Sequence, residues 1–315
     1  HRWGSFDGFL LDLARRKGAA LIHERVQDIS WDGGRPSIRL KDGSARSYDL
    51  LIGAMGVNSP TGSVFEALGF GYQRPETTKT FITDLHLGEE TVRERFGNSM
   101  HVFLLNIPRL EFAAIIPKGD FVTLCLLGRR IDRDLVESFL RSPEVRECFP
   151  PGFEIGKDAC HCAPNICIGE AKNPFCDRVA LLGDSGSSRL YKDGIGSAYR
   201  TAKAVAVTAL FDGISAENFR KGYLPVCRSI ARDNFYGRLI FLGVSAMRSI
   251  RFLKVGVLRM IRDEQERMGS RRRMSMVIWD TFTGSAPYRN VLFRFLHPRL
   301  LFSLAGHILK GIVRH

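Results

Sequence analysis

The sequence predicts an α/β protein with an inserted antiparallel sheet and a helical C-terminal region. Helix and strand patterns alternate up to Gly53, apolar strand patterns separated by turn signals run from Thr77 to Arg130, and almost everything after Gly196 is helical in periodicity.

The chain has 315 residues, 44% hydrophobic and 25% charged, an ordinary globular composition sufficient for one large domain or two intertwined ones. It opens on His1 and passes directly into a helix pattern without the charged and apolar regions of a signal peptide, which points to a chain that begins mid-protein. Seven cysteines (Cys125, Cys148, Cys160, Cys162, Cys167, Cys176 and Cys227) without a secretory signal imply no disulfide framework and a reducing, cytoplasmic location. No stretch reaches about 18 uninterrupted apolar residues, so a spanning helix is not expected, while attachment to a membrane surface stays open.

From Phe6 to Lys17, Phe6, Phe9, Leu10, Leu13 and Ala14 recur at helical spacing, and Gly18 is the stop. Ala19 to Ile29, rich in apolar and β-branched residues, reads as a strand. A Gly33-Gly34 turn and the stretch from Ser37 to Ala54 add a hairpin and a further strand ending at Gly53. Such alternation is the rhythm of a nucleotide-binding α/β domain. The pattern then changes to the apolar strands 101–107, 110–117 and 120–128, with Pro117-Lys118-Gly119-Asp120 as a turn. Leu135 to Cys148 reads as a helix and Arg178 to Leu182 as a short buried strand. Residues 268–275 read as an exposed linker.

The most specific signal runs from Arg178 to Leu210. An apolar strand ends in Gly183-Asp184, a polar loop follows, and Gly194-Ile195-Gly196 opens a long helix with small residues on its early turns. A carboxylate at a strand's C-terminal end can accept hydrogen bonds from ligand hydroxyls. Glycines at 194 and 196 allow close backbone approach, and a helix N-terminus presents free N–H groups to negative charge. Either dipeptide alone also reads as a turn or a flexible helix start; the combination at this spacing points to a ligand.

This segment resembles the Gly-Asp motif of the FAD-dependent oxidoreductases that include geranylgeranyl reductases and para-hydroxybenzoate hydroxylase. The resemblance implies that Asp184 binds the ribityl chain, with Gly183, Gly194, Ile195 and Gly196 facing the isoalloxazine and pyrophosphate. Where that class usually carries Pro this chain has Tyr191, which with Lys192 would lie near the reactive face and make both candidates for the substrate pocket. The stretch from Tyr48 to Ser59 is similar to the class's Gly-Ala-Asp-Gly motif, with Gly53 and Gly56 keeping the turn. Met55 replaces the Asp that supports nicotinamide binding, which leaves NAD(P)H as electron donor open. The helix and strand from Phe6 to Ile29 match as well, placing Val26 against the FAD adenine. No G-x-G-x-x-G follows a strand near the start, so the expected fold is an incomplete Rossmann-like FAD-binding domain (1–75 and 176–212) without its N-terminal unit. An antiparallel substrate domain (76–175) and a basic helical region (213–315) complete it.

Cys160, His161, Cys162, Cys167 and Cys176 cluster in sequence, but C-x-C-x4-C-x8-C lacks the paired C-x2-C spacing of metal sites. They read as thiols on the inserted sheet, and no metal is expected.

The formal charge of +13 is concentrated at the end, with 17 Lys and Arg against 5 Asp and Glu from Arg228 to His315. On a helix from Leu239 to Arg262, Arg248, Arg251, Lys254, Arg259 and Arg262 fall within an arc of roughly 140°, with Leu253, Val257, Met260 and Ile261 outside it. Two readings stay open, helices packed on the protein's own core with a solvated basic face, or a surface seated on anionic lipid. Nucleic acid is disfavoured, because the aromatic residues sit in apolar runs rather than alternating with cations.

The expectation is therefore a peripheral FAD oxidoreductase transferring hydride to or from a small apolar, isoprenoid-like substrate. A flavin-dependent aromatic monooxygenase is the alternative within enzymes, and a non-catalytic membrane-surface or electron-transfer module the alternative outside them.

Overall fold

A computed structural model describes residues 5–153, 161–266 and 272–312. Helix α1 (Phe6–Arg16) is capped by Ser5, whose Oγ accepts from Gly8 N at 3.0 Å, yet it buries no residue. Strands β1 (Val26–Asp32), β2 (Arg35–Leu40) and β3 (Ala45–Ser47) form an antiparallel meander. Gly33 and Gly34 both have positive φ, as the two-residue hairpin loop between β1 and β2 demands. The strand expected over Ala19 to Ile29 begins only at Val26. Its register starts at Val26 opposite Leu40, and residues 19–25 pair with no strand among the described residues.

Strand β4 (Leu51–Gly53) and helix α2 (Gly62–Ala67) lead into the large sheet. That sheet contains β5 (Thr77–His86), β6 (His101–Phe103), β7 (Leu110–Lys118) and β8 (Phe121–Gly128), with α3 (Glu89–Arg95) between β5 and β6. Helices α4 (Arg133–Arg141) and α5 (Pro143–Arg146) follow, then β9 (His161–Cys162) and β10 (Asn165–Cys167). The order is β10-β5-β8-β7-β6, antiparallel throughout, with β9 also on β5. The single helix expected from Leu135 to Cys148 is divided at Ser142, because Pro143 has no N–H to continue the ladder and starts a new helix instead.

Strands β7 and β8 are apolar on both faces because both faces are covered. Ala113, Ile115, Leu124 and Leu126 pack with α3, α4 and α5 residues such as Val92, Phe139 and Val145. Phe112, Ala114 and Leu127 pack against Phe241, Val244 and Tyr288 of the C-terminal helices.

The third sheet, β11-β12-β4, joins β11 (Phe175–Cys176) and β12 (Val179–Leu181), with β12 parallel to β4. Val179, Ala180 and Leu181 are fully buried. Val179 and Leu181 face Ile29, Phe65 and Tyr72, while Ala180 faces Val205, Phe219 and Tyr223. Burying each of the two larger side chains stabilises by roughly 1.5–3 kcal/mol.

The remainder is helical: α6 (Gly194–Phe211), α7 (Ala216–Gly222), α8 (Leu224–Ser249), α9 (Arg251–Glu266), α10 (Arg273–Thr283), α11 (Tyr288–Phe295) and α12 (Pro298–Ile312). Two sequence expectations change here. The helix over Leu239 to Arg262 is two helices, because Ile250 takes an extended conformation between α8 and α9. The linker expected at 268–275 falls partly outside the described residues, and its last three residues, Arg273, Met274 and Ser275, open α10. There the Glu264 carboxylate accepts from Met274 N at 2.9 Å and Ser275 N at 2.8 Å, capping the helix. No described helix is long and apolar enough to cross a membrane.

Candidate functional site

Strand β12 delivers the chain into Gly183, whose φ of +54° favours glycine and whose N–H donates to Thr201 Oγ1 at 3.0 Å. The loop from Gly183 to Asp193 is clamped on several sides. Asn234 on α8 accepts from Leu190 N at 2.7 Å and donates to the Ser188 carbonyl at 2.9 Å. Arg189 is buried, donates Nε to Asp233 at 3.1 Å and Nη1 to the Gly284 carbonyl at 2.7 Å, also binds the Ala286 carbonyl, and stacks 4.3 Å from the Tyr288 ring centroid. This loop is held by rigid elements, as a preformed binding surface requires.

Asp184 stands at the head of the loop. Its backbone carbonyl accepts from Cys167 Sγ at 3.3 Å, while its carboxylate has no hydrogen-bond or ion-pair partner among the described residues. A Cβ placed on Gly194 would lie 3.9 Å from Asp184 Oδ1, so the carboxylate and the α6 N-terminus face a common space. The amides of Gly194, Ile195 and Gly196 likewise find no acceptor among the described residues; the first paired amide is Ser197, bonded to the Asp193 carbonyl at 2.9 Å. An unpaired acceptor thus lies near the first of three unpaired donors, groups that a polar ligand could satisfy.

Sequence reasoning missed two residues here. Asp193, left-handed at φ +58°, caps α6 without a side-chain cap bond; its carboxylate lies where a Cβ on Gly196 would stand, 2.1 Å from Oδ1. Gly196 is therefore accounted for by Asp193 as well as by a ligand. Arg189 and Arg200 approach that carboxylate at 3.7 and 3.6 Å and offset its charge. An Asp directly before a helix-opening Gly was the available signal. Cys167 is the other: burial, with the Asp184 charge adding to it, pushes its thiol up to about 12, so it stays a donor to the loop.

The remaining sequence candidates fall into two groups. Gly53 accepts from Leu182 N at 2.8 Å, and a Cβ there would meet Leu181 Cδ1 at 2.3 Å and Phe65 Cζ at 2.9 Å, so close packing of β4 on β12 accounts for this glycine. Gly56 has φ +68° and open space around it; its carbonyl and Met55 Sδ each lie 3.4 Å from Ser185 Oγ. Val26, Gly53 and Met55 share a hollow of about 420 Å³ along β4. Met55, one of the residues lining the hollow, also touches Ser185 of the Gly-Asp loop.

Tyr191 and Lys192 turn toward the antiparallel sheet. Tyr191, also left-handed at φ +62°, sets its ring edge-on to Phe241 at 4.8 Å. Lys192 places Nζ 4.3 Å from the Phe112 centroid, and burial lowers its pKa. Of the cysteine cluster, Cys160 lies outside the described residues, Cys167 is buried and Cys162 exposed. No described group of three His, Cys, Asp or Glu side chains converges on a metal-sized site.

Neither a protein-family model nor a curated protein sequence matches the chain. Solved structures do match. A flavoprotein/dehydrogenase from Cytophaga hutchinsonii aligns with a TM-score of 0.60 over 97% of this chain and 74% of its own, at 18% identity. The peptidyl tryptophan dihydroxylase QhpG, essential for tryptophylquinone cofactor biogenesis, aligns at 0.52 over 74% of this chain and 54% of its own, at 18% identity. A flavin-dependent halogenase from Xanthomonas campestris aligns at 0.51 over 74% and 45%, at 14% identity. The likeness is one of fold. The chain spans about half of the latter two structures and three-quarters of the first.

Proposed function

We propose that this chain is the flavin-binding and substrate portion of an FAD-dependent oxidoreductase. The observation that carries the reading is the unpaired Asp184 carboxylate beside the unpaired amides of Gly194, Ile195 and Gly196. The fit is chemical: a ribityl chain offers hydroxyl donors to Asp184, and the carbonyl edge of an isoalloxazine offers acceptors to the amides. In this reading Gly183 and Gly56 shape the turns beside the ligand, and the hollow at Val26, Gly53 and Met55 receives the far end of the cofactor.

A bound flavin supplies the redox chemistry; the protein supplies position, dryness and charge. Asp184 orients the hydroxyl chain. The α6 N-terminus would stabilise negative charge on a flavin held there, since the amides of Gly194, Ile195 and Gly196 have no acceptor among the described residues. Tyr191 packs on Phe241 of α8 and Lys192 reaches Phe112 of β7, and we assign both to the substrate side. The surroundings there, Phe112 and Phe241, suit an apolar substrate, and an isoprenoid-like group is the finer reading. The dihydroxylase and halogenase among the structural neighbours favour a second reading, a flavin-dependent aromatic monooxygenase. NAD(P)H-driven oxygen consumption distinguishes that reading from hydride exchange without oxygen.

The partner we propose outside the active site is an anionic membrane surface met by the C-terminal helices. On α9, Arg251 and Arg262 are exposed beside exposed Phe252 and Leu258, and α12 exposes Phe302 and Leu309. Arg248 does not take part: it is buried, donates to the Leu110 carbonyl and lies 3.7 Å from Glu111. Reconstitution of the purified protein with FAD, followed by gel filtration and visible absorbance, tests the main reading. Retention of flavin in stoichiometric amount is expected; a protein that stays colourless at every flavin concentration contradicts it.

A further inference from the structure

We infer that the helical C-terminal region holds a separate binding site for the hydrocarbon end of a ligand, about the size of one aromatic ring or one isoprene unit. Helices α8 to α12 surround a cavity of about 150 Å³. Its walls include Ile240 and Met247 of α8, Val257 of α9, Met274 and Val277 of α10, and Leu304 of α12. Among the described lining residues the one polar side chain is Thr281, and its hydroxyl already donates to the Val277 carbonyl at 2.7 Å. No described lining side chain therefore has an unused hydrogen-bond donor.

Those facts decide what the cavity accepts. Water needs two to four polar partners to settle in a protein interior, and the described lining side chains offer only the acceptor lone pairs of one hydroxyl; an aliphatic cavity of roughly 150 Å³ stays dry and takes a benzene-sized guest. Volume limits the guest to about six to eight carbon atoms, so a longer lipid would leave the rest of its chain outside. The surrounding cluster is otherwise close-packed, with Met260, Met274, Val291 and Leu300 at most 3% exposed, and an unfilled void in such a cluster costs stability that a guest restores. Two methionines in the wall can adjust to the guest's shape.

The opening lies on α8. Leu239 is 41% exposed, and Gly243, also in the lining, is exposed with nothing within 4 Å of where a Cβ would stand. A larger residue at 243 would therefore enter the mouth without meeting backbone, and helix propensity favours almost any residue over glycine there. This site stands apart from the Asp184 loop and does not rest on the flavin reading.

The test uses the full chain without added flavin, titrated with benzene and followed through its methyl NMR signals and its thermal midpoint. Saturable shifts at Val257, Val277, Val291 and Leu304 with a rise in midpoint are expected, and Gly243→Leu should weaken the response at least tenfold while melting no lower than the parent. Absence of saturable shifts, or an unchanged response in Gly243→Leu, overturns the inference. Either outcome leaves the Asp184 reading untouched.

Discussion

Gly186 illustrates how little room surrounds the candidate site. A Cβ there would stand 2.3 Å from the Leu181 carbonyl oxygen and 2.8 Å from the Tyr223 hydroxyl, which itself donates to that carbonyl. Gly186→Ala should cost about 1–3 kcal/mol in urea unfolding, because the obstacle is backbone. Lys192 yields a pH prediction. Burial depresses its folded pKa below the unfolded value of about 10.4, so the unfolded chain holds its proton longer and this residue's penalty is relieved as pH rises between the two values. Lys192→Met should therefore be more stable than the parent at neutral pH, with the gap narrowing above the depressed pKa in denaturant titrations. Asp184 and the glycine pair were legible in the sequence because a strand end followed by a glycine-opened helix is a local pattern. The burial of Arg248 was not, since its acceptor, the Leu110 carbonyl, lies on a strand 138 residues away.

At the scale of elements, boundaries followed local chemistry where that chemistry was explicit. The Gly33-Gly34 hairpin and the β7 and β8 strands sit where turn residues and apolar runs place them, whereas β5 is not singled out as a strand in the sequence. Errors came where tertiary pairing decides: residues 19–25 look like a strand but pair with none among the described residues, and Ile250 breaks a helix without Pro or Gly to announce it. Helix α4 supplies a test of capping. Asp132 accepts from Leu135 N at 3.0 Å and bonds Arg109, and those bonds hold its carboxyl at about 2. A depressed carboxyl contributes above its unfolded pKa of about 3.9 and loses that contribution as pH falls toward the folded value. The difference in thermal midpoint between the parent and Asp132→Asn should be constant from neutral pH to about 4 and shrink below it.

The whole molecule joins its parts through shared cores. The C-terminal helices are packed on the antiparallel sheet through Phe112, Phe241 and Tyr288, and the Gly-Asp loop is clamped between α8 and the loop that precedes α11. Composition exposed the basic C-terminal block at once, but only the fold separates buried Arg248 from the cations that remain available. Replacing Arg251, Lys254, Arg259 and Arg262 together by Gln should weaken sedimentation with anionic vesicles at least tenfold, at about 1 kcal/mol per cation near the surface, and leave neutral vesicles unaffected. The central claim is that the Asp184 carboxylate and the α6 amides hold a flavin. The most direct measurement is FAD affinity from quenching of flavin fluorescence, compared between the parent and Asp184→Ala. Saturable binding that falls by about tenfold or more in the variant, as loss of a charged hydrogen-bond acceptor implies, is the predicted result; equal affinity in both proteins would contradict it.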